Sequence, residues 1–321
     1  MLSDPPMRFR ERIRSVFSQD GMRGLIEPLQ GGTPPTQSHE TPSIEEFTRQ
    51  FDDLHRRRDL TAVNQGVQRL LALKYKEMLH HRLPLPSLDD VELRCFSQNG
   101  EDGILLYLFS LLGTVNKKAV EICAGHGLEC TTANLIVNHG WRGLLFDGSA
   151  DNVNYGKAFF ATCQDTRLRP PTFVQAWITK DNVNDLIAGC GYQGDIDLLS
   201  LDLDGMDWWI WQAIECISPR LVVVEYNAVW GPESAVTVPW QAGFVLDASR
   251  LPHYCGASLA AFVKLGRSKG YRLIGQERIG FNAFFLRADV GEDLFPEIPA
   301  ARCLNYALPD YDWGSRPWVE V

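Results

Sequence analysis

AVEICAGHGLECTTANLIVNHGW, residues 119–141, decides the fold. An apolar run ends in a turn of small residues, and a helical pattern follows at once. In that order the backbone can approach a ligand closely at a helix start. Gly125 and Gly127 supply the turn. Asp147 lies 20 residues beyond Gly127 and closes the next apolar run, GLLFDG (143–148). An acid so placed can hydrogen-bond both hydroxyls of a ribose. A lone glycine pair is common in turns; strand, helix and distant acid in one register make it a nucleotide-type site.

The same grammar continues on both sides. KAVEICA (118–124), GLLFDG, TFVQAWI (172–178), IDLLSLDLD (196–204) and LVVVEYN (221–227) are short apolar runs, each followed by a helix-length segment. Such alternation implies parallel strands joined by helices. YRLIGQ (271–276) and NAFFLRA (282–288) read as a closing antiparallel hairpin. The expected architecture is α/β: a Rossmann-like, doubly wound, mostly parallel sheet with a C-terminal antiparallel hairpin, preceded by an N-terminal helical segment. Upstream, Ser43 and Glu46 form a capping box ahead of Phe47, Phe51 and Leu54. A second helix is predicted from about Leu60 to His80, with Leu60, Val63, Val67, Leu70, Leu71 and Leu73 as its apolar stripe. LPLPS (83–87) ends it. The expected organisation is a basic start and flexible linker over 1–42, a helical extension over 43–90, the main domain over 91–290 and a tail packing on it over 291–321.

The chain has 321 residues, 45% of them apolar, and a net charge of −9. That balance argues against nucleic acid, whose phosphates need clustered Lys and Arg. Eight cysteines without a CxxC pair suggest neither zinc nor a disulfide framework, and fit a reduced, cytoplasmic protein. No stretch reaches the roughly 20 uncharged apolar residues of a membrane span. Oligomerisation is left open.

A dinucleotide site requires a third glycine three positions after Gly127, where Cys130 stands. A methyl donor has no pyrophosphate to cradle and tolerates that change. Here a resemblance enters. SQNGEDGIL (97–105), VEICAGHG, GWRGLLFDG, IDLLSLDLDG, LVVVEYN, and GYRLIG with NAFFLR resemble, in order, the blocks of the FkbM-type methyltransferases, over about two thirds of the chain. The resemblance implies a class I fold, S-adenosyl-L-methionine as cofactor and a small-molecule or glycan acceptor methylated on oxygen. It implies that Glu121, Ala124, Gly125 and Gly127 line the methionine end of the cofactor, that Asp147 holds the ribose, and that Gln98, Glu101 and Asp102 lie on a helix at its mouth. The sequence departs from that pattern at Cys123, His126 and Asp204.

Asp202 and Asp204, at i and i+2 of one strand, should project to the same side at its carboxyl end. They are the expected catalytic residues together with Glu225, as base candidates for an acceptor hydroxyl. With Glu225 and Asn227 they also form an oxygen-rich set suited to Mg²⁺. The plainer alternative is a strand end and helix cap. Asn227, Trp230 and His253 are expected to meet the acceptor, although Trp230 can equally pack within a hydrophobic loop. Trp208, Trp209 and Trp211, at helical spacing, should be core. Two other readings stay open: a metal-dependent glycosyltransferase using Asp202-Leu-Asp204 as its DxD motif, and a non-catalytic module binding an adenosyl ligand.

Overall fold

The computed structural model describes residues 64–247, 254–303 and 316–321. All lie in one compact unit, Asp59–Val321. The capping box at Ser43 and Glu46, and His253, fall outside the described residues.

All five expected parallel strands form. They are β1 (Lys118–Ile122), β2 (Arg142–Asp147), β3 (Thr172–Gln175), β4 (Gly194–Leu201) and β5 (Ile217–Glu225). The hairpin strands β7 (Tyr271–Gln276) and β8 (Asn282–Arg287) complete a seven-stranded sheet of order β3-β2-β1-β4-β5-β8-β7. β8 runs antiparallel to both neighbours and every other pair is parallel. This is the doubly wound, mostly parallel sheet expected. A separate two-stranded sheet pairs β6 (Val236–Thr237) with β9 (Val319–Glu320).

The central strands are apolar along their length because both faces are covered. Val120, Ile122, Leu144, Phe146, Leu199 and Leu201 point to one face. There they meet α5 (Val183–Gly189), α6 (Asp207–Ala213) and α7 (Leu259–Ser268). Ala119, Leu145, Leu198, Leu221 and Val223 point to the other, against α2 (Glu101–Leu112), α3 (Ala133–His139) and α4 (Ala150–Thr162). Trp208 and Trp211 are buried in the first layer, as expected.

α1 covers residues 64–80 and ends before the proline pair. Its docked face differs from the expected stripe: Val67, Leu70 and Leu73 are 49%, 68% and 62% exposed. The face turned inward carries Tyr75 and Gln68. Gln68 Nε2 donates to Asn134 Oδ1 (3.1 Å) and its Oε1 accepts from Asn134 Nδ2 (2.9 Å). His139 Nε2 lies 2.7 Å from the same Oε1. A buried amide exchange with α3, which apolar periodicity does not encode, sets the rotation of this helix.

Candidate active site

The strand order reverses between β1 and β4, so their outgoing connections leave on opposite faces and open a crevice at the carboxyl edge. The turn after β1 holds Gly125 and Gly127 in the left-handed region, at φ 55° and 77°. A Cβ on Gly127 would stand 2.9 Å from Phe160, so that position is packed. At Gly125 a Cβ would meet nothing within 4 Å, so the backbone there borders open room. Ala124 is buried, and its N–H donates to Phe146 O (2.9 Å), tying the turn to β2. Cys123, where the resemblance implies glycine, also has a positive φ of 65°. Burial and the carboxylates of Asp207, Asp147, Asp202 and Asp204 push its thiol well up.

Glu121 points from β1 toward α3. Its carboxylate accepts the N–H groups of Thr131 (2.8 Å) and Thr132 (2.9 Å) and the Thr132 hydroxyl (2.5 Å). These two amides, just ahead of the helix, are among those a phosphate could otherwise use. Cys130 is buried beside them and bonds Gly127 O.

Asp147 ends β2. Its Oδ1 accepts from Ser149 N (2.8 Å) and Asn152 Nδ2 (3.0 Å), which fixes the side chain and leaves Oδ2 with no hydrogen bond among the described residues.

Asp202, Asp204 and Glu225 each bring a carboxylate oxygen within 4.8 Å of the others. The route to that cluster differs from the sequence expectation. β4 ends at Leu201, so Asp202 and Asp204 are not on a strand, and Asp204 has a left-handed φ of 54°. A bent loop, not strand alternation, converges them. Asp207, which sequence reasoning missed, shapes the loop: fully buried, it accepts Leu203 N (2.7 Å) and Gly205 N (3.1 Å). A third acid three residues after Asp204, at a helix start, was the available signal. Burial and the charges of Asp207 and Asp204 push the Asp202 carboxyl up to about 7. Burial, with Asp202 beside it, also raises Glu225 above the carboxylate range, and the two share a side-chain hydrogen bond.

The other expected residues are placed as follows. Glu101 is buried at the start of α2; Oε1 accepts from Asn282 Nδ2 (2.7 Å) and Oε2 from Asn99 N (2.9 Å). Asn282 stands opposite Glu225 in the β5–β8 register, so the SQNGED block reaches the acid edge through one residue. Gln98 lies in the bend before α2 instead of on the helix, because Gly100 at φ 114° breaks the backbone between them. Asn227 is structurally engaged: Oδ1 accepts Val229 N (3.1 Å) and Nδ2 donates to Cys255 O (3.0 Å). Trp230 packs edge-on against Trp318 at 5.0 Å, with its buried indole N–H unpaired.

No protein-family model matches the chain, and no curated protein matches it in sequence. Among solved structures it is similar to a magnesium protoporphyrin IX methyltransferase from Synechocystis with bound SAM, at 12% identity and TM-score 0.36 over 58% of this chain and 77% of that one. An S-adenosylmethionine-dependent methyltransferase from Clostridium acetobutylicum gives 10% and 0.36 over 68% and 97%. A glycopeptide N-methyltransferase complexed with S-adenosylhomocysteine gives 15% and 0.35 over 62% and 95%. The fold class stands on the strand order and register described above. No helix among the described residues is long and apolar enough to cross a membrane.

Proposed function

We propose that the chain is an S-adenosyl-L-methionine-dependent methyltransferase that methylates a hydroxyl of a carbohydrate or secondary metabolite. The observation that carries this reading is the occupation by Glu121 of the Thr131 and Thr132 amides just ahead of α3. The crevice keeps the ribose acid and the glycine turn of a nucleotide site, but two amides just ahead of its helix are taken by a carboxylate of the chain itself and not offered to a pyrophosphate. That combination favours an adenosyl ligand without phosphates. The resemblance to the FkbM-type family points the same way.

The residues present fit such a cofactor. Asp147 Oδ2 would take the ribose hydroxyls, and the open backbone at Gly125 would border the amino-acid end. When bound, the cofactor supplies a methyl group already activated on a sulfonium. The protein's own work is alignment and removal of the acceptor proton. Asp202, Asp204 and Glu225, gathered within 4.8 Å of one another, are the groups placed for that removal, and their crowding raises the proton affinity of Asp202 and Glu225.

A second reading rests on the gathering of three carboxylates within 4.8 Å. A divalent cation such as Mg²⁺ on Asp202 and Asp204 would then acidify the hydroxyl. The same set would serve a metal-dependent glycosyltransferase. The free state of all eight cysteines fits the cytoplasm.

Calorimetric titration of the full chain with S-adenosylmethionine and S-adenosylhomocysteine, against NADH and UDP-glucose, tests the reading. Saturable binding of the adenosyl pair alone is expected. Binding of UDP-glucose with Mn²⁺ would move the case to glycosyl transfer, and no binding at all would favour a non-catalytic module. Repeating the adenosylhomocysteine titration with Mg²⁺ and with EDTA addresses the cation.

A further inference from the structure

The segment after β6 crosses the carboxyl edge of the sheet, and contacts on both sides hold it there. On the β4 side, Val238 O accepts Trp209 Nε1 (2.9 Å) and Gln241 N donates to Met206 Sδ (3.5 Å). Phe244 lies so close over Gly205 that a Cβ there would stand 2.3 Å from its ring. On the β3 side, Ala242 O accepts the indole N–H of Trp177 at 2.6 Å. The Trp177 ring covers Gly148, the residue after Asp147, at 3.0 Å from where a Cβ would be.

The sheet order gives these anchors their meaning. Gly205 follows β4 and Trp177 follows β3, and the ends of β1 and β2 lie between them. The strap is therefore held at points that bracket the glycine turn and Asp147. One anchor touches the turn that carries Asp204, and the other touches the residue beside the ribose acid. The two anchors differ in strength. The β4 side is made of half-buried rings, whereas Trp177 is 52% exposed and holds the strap through one hydrogen bond, joined on that side by the exposed Lys180 ammonium over the Trp240 ring at 5.2 Å. An exposed hydrogen bond and an exposed cation–π contact contribute about 1 kcal/mol each, so this end releases first.

We propose that residues 238–244 are a strap over the donor crevice, latched by Trp177 and seated by Phe244, and that release of the latch admits the ligand. The strap is a positioning element: closed, it sets Phe244 beside the Asp204 turn. This rests on the reading that an adenosyl donor binds in this crevice.

Two variants of the full chain test it. Trp177→Phe keeps an aromatic ring and removes the N–H together with the pyrrole half of the indole. Gly205→Ala keeps every strap residue and lifts Phe244 from its seat. Amide hydrogen exchange of the ligand-free proteins comes first: both variants should speed exchange across 240–244 by about tenfold while β4 and β5 keep wild-type protection. Stopped-flow binding of S-adenosylhomocysteine comes second. Association and dissociation should both quicken several-fold in Trp177→Phe, with a smaller change in Kd, a signature that general loss of folding does not give. Unchanged exchange in both variants overturns the strap whether or not the ligand binds. Binding with unaltered rates overturns its gating role. Faster exchange in a protein that never binds S-adenosylhomocysteine would leave the latch standing and remove the donor reading.

Discussion

Cys123 and Asp204 adopt the same left-handed backbone, at φ 65° and 54°, just beyond the ends of the adjoining strands β1 and β4. Neither is glycine, and a side chain in that region costs about 1 kcal/mol. The two strained residues flank the switch-point crevice, one bearing a thiol and one a carboxylate. Relief of the first without loss of chemistry gives a direct test. Cys123→Gly should stabilise the protein by about 1 kcal/mol and raise its melting temperature by roughly 2 to 4 °C. A lower melting temperature on calorimetry would mean that the thiol's packing outweighs the strain.

Asp204→Asn separates conformation from charge, because asparagine also accepts the left-handed region. The variant should melt within about 1 °C of wild type and bind S-adenosylhomocysteine as before. Methyl transfer in an acceptor screen should fall by about a hundredfold, the scale of a lost acid–base group. Undiminished turnover would take Asp204 out of the chemistry.

Asp147→Ala removes both the oxygen that accepts from Ser149 N and Asn152 Nδ2 and the one offered to the ribose. Stability should fall by about 1 kcal/mol through those lost bonds. Affinity for S-adenosylhomocysteine should fall by about ten- to a hundredfold, as for loss of hydrogen bonds to a charged group. Titration that shows unchanged affinity would assign Asp147 to the turn alone.

Asp102 makes stability depend on pH. Its Oδ2 accepts three backbone N–H groups, from Cys95 (2.7 Å), Phe96 (2.7 Å) and Ser97 (2.9 Å), while the buried Oδ1 has no partner. Burial outweighs those bonds and pushes the carboxyl up from 3.8 to about 6. The folded state therefore holds this proton more tightly than the unfolded chain. The stabilisation is complete below pH 4 and is lost as the pH rises through 6. Urea unfolding should show a fall of the order of 3 kcal/mol from this group between pH 4 and 7. Asp102→Asn keeps the accepting oxygen and should flatten that slope; an identical slope in the variant would place the proton elsewhere.

Gly103 tolerates no side chain. A Cβ there would stand 2.0 Å from Val91 O and 2.4 Å from Leu93 N, both backbone atoms. Gly103→Ala should cost about 3 kcal/mol in urea unfolding, because backbone yields less readily than a side chain. A loss below about 1 kcal/mol would show that the segment before α2 shifts freely.

The sheet was legible because its signal is local. Runs such as LLFD and LVVV need only their own apolarity to declare buried parallel strands, and Gly125 with Asp147 marks the edge where they end. The site was legible as a set of residues but not as a geometry. Asp202 and Asp204 look like alternate residues of a strand; Asp207, three positions later, bends that stretch through two backbone amides. Glu121 looks like a cofactor ligand by position, yet its partners, Thr131 and Thr132, lie 10 and 11 residues away across a turn. The link from Glu101 to Asn282 spans 181 positions and has no local trace. The docked face of α1 was hidden for a related reason, since amides that pair with amides leave no hydrophobic period.

The antiparallel β8 carries a consequence for how the protein is made. Leu221, Val222, Val223 and Val224 are wholly buried, and their backbone pairs with residues 283–286. On the ribosome, β5 emerges some sixty residues before that partner. Through this interval the nascent chain presents a bare, strongly apolar strand edge, the kind that recruits other chains. A product truncated between α7 and β8 would keep that edge permanently and should aggregate, although every residue of the proposed acid cluster would already be present.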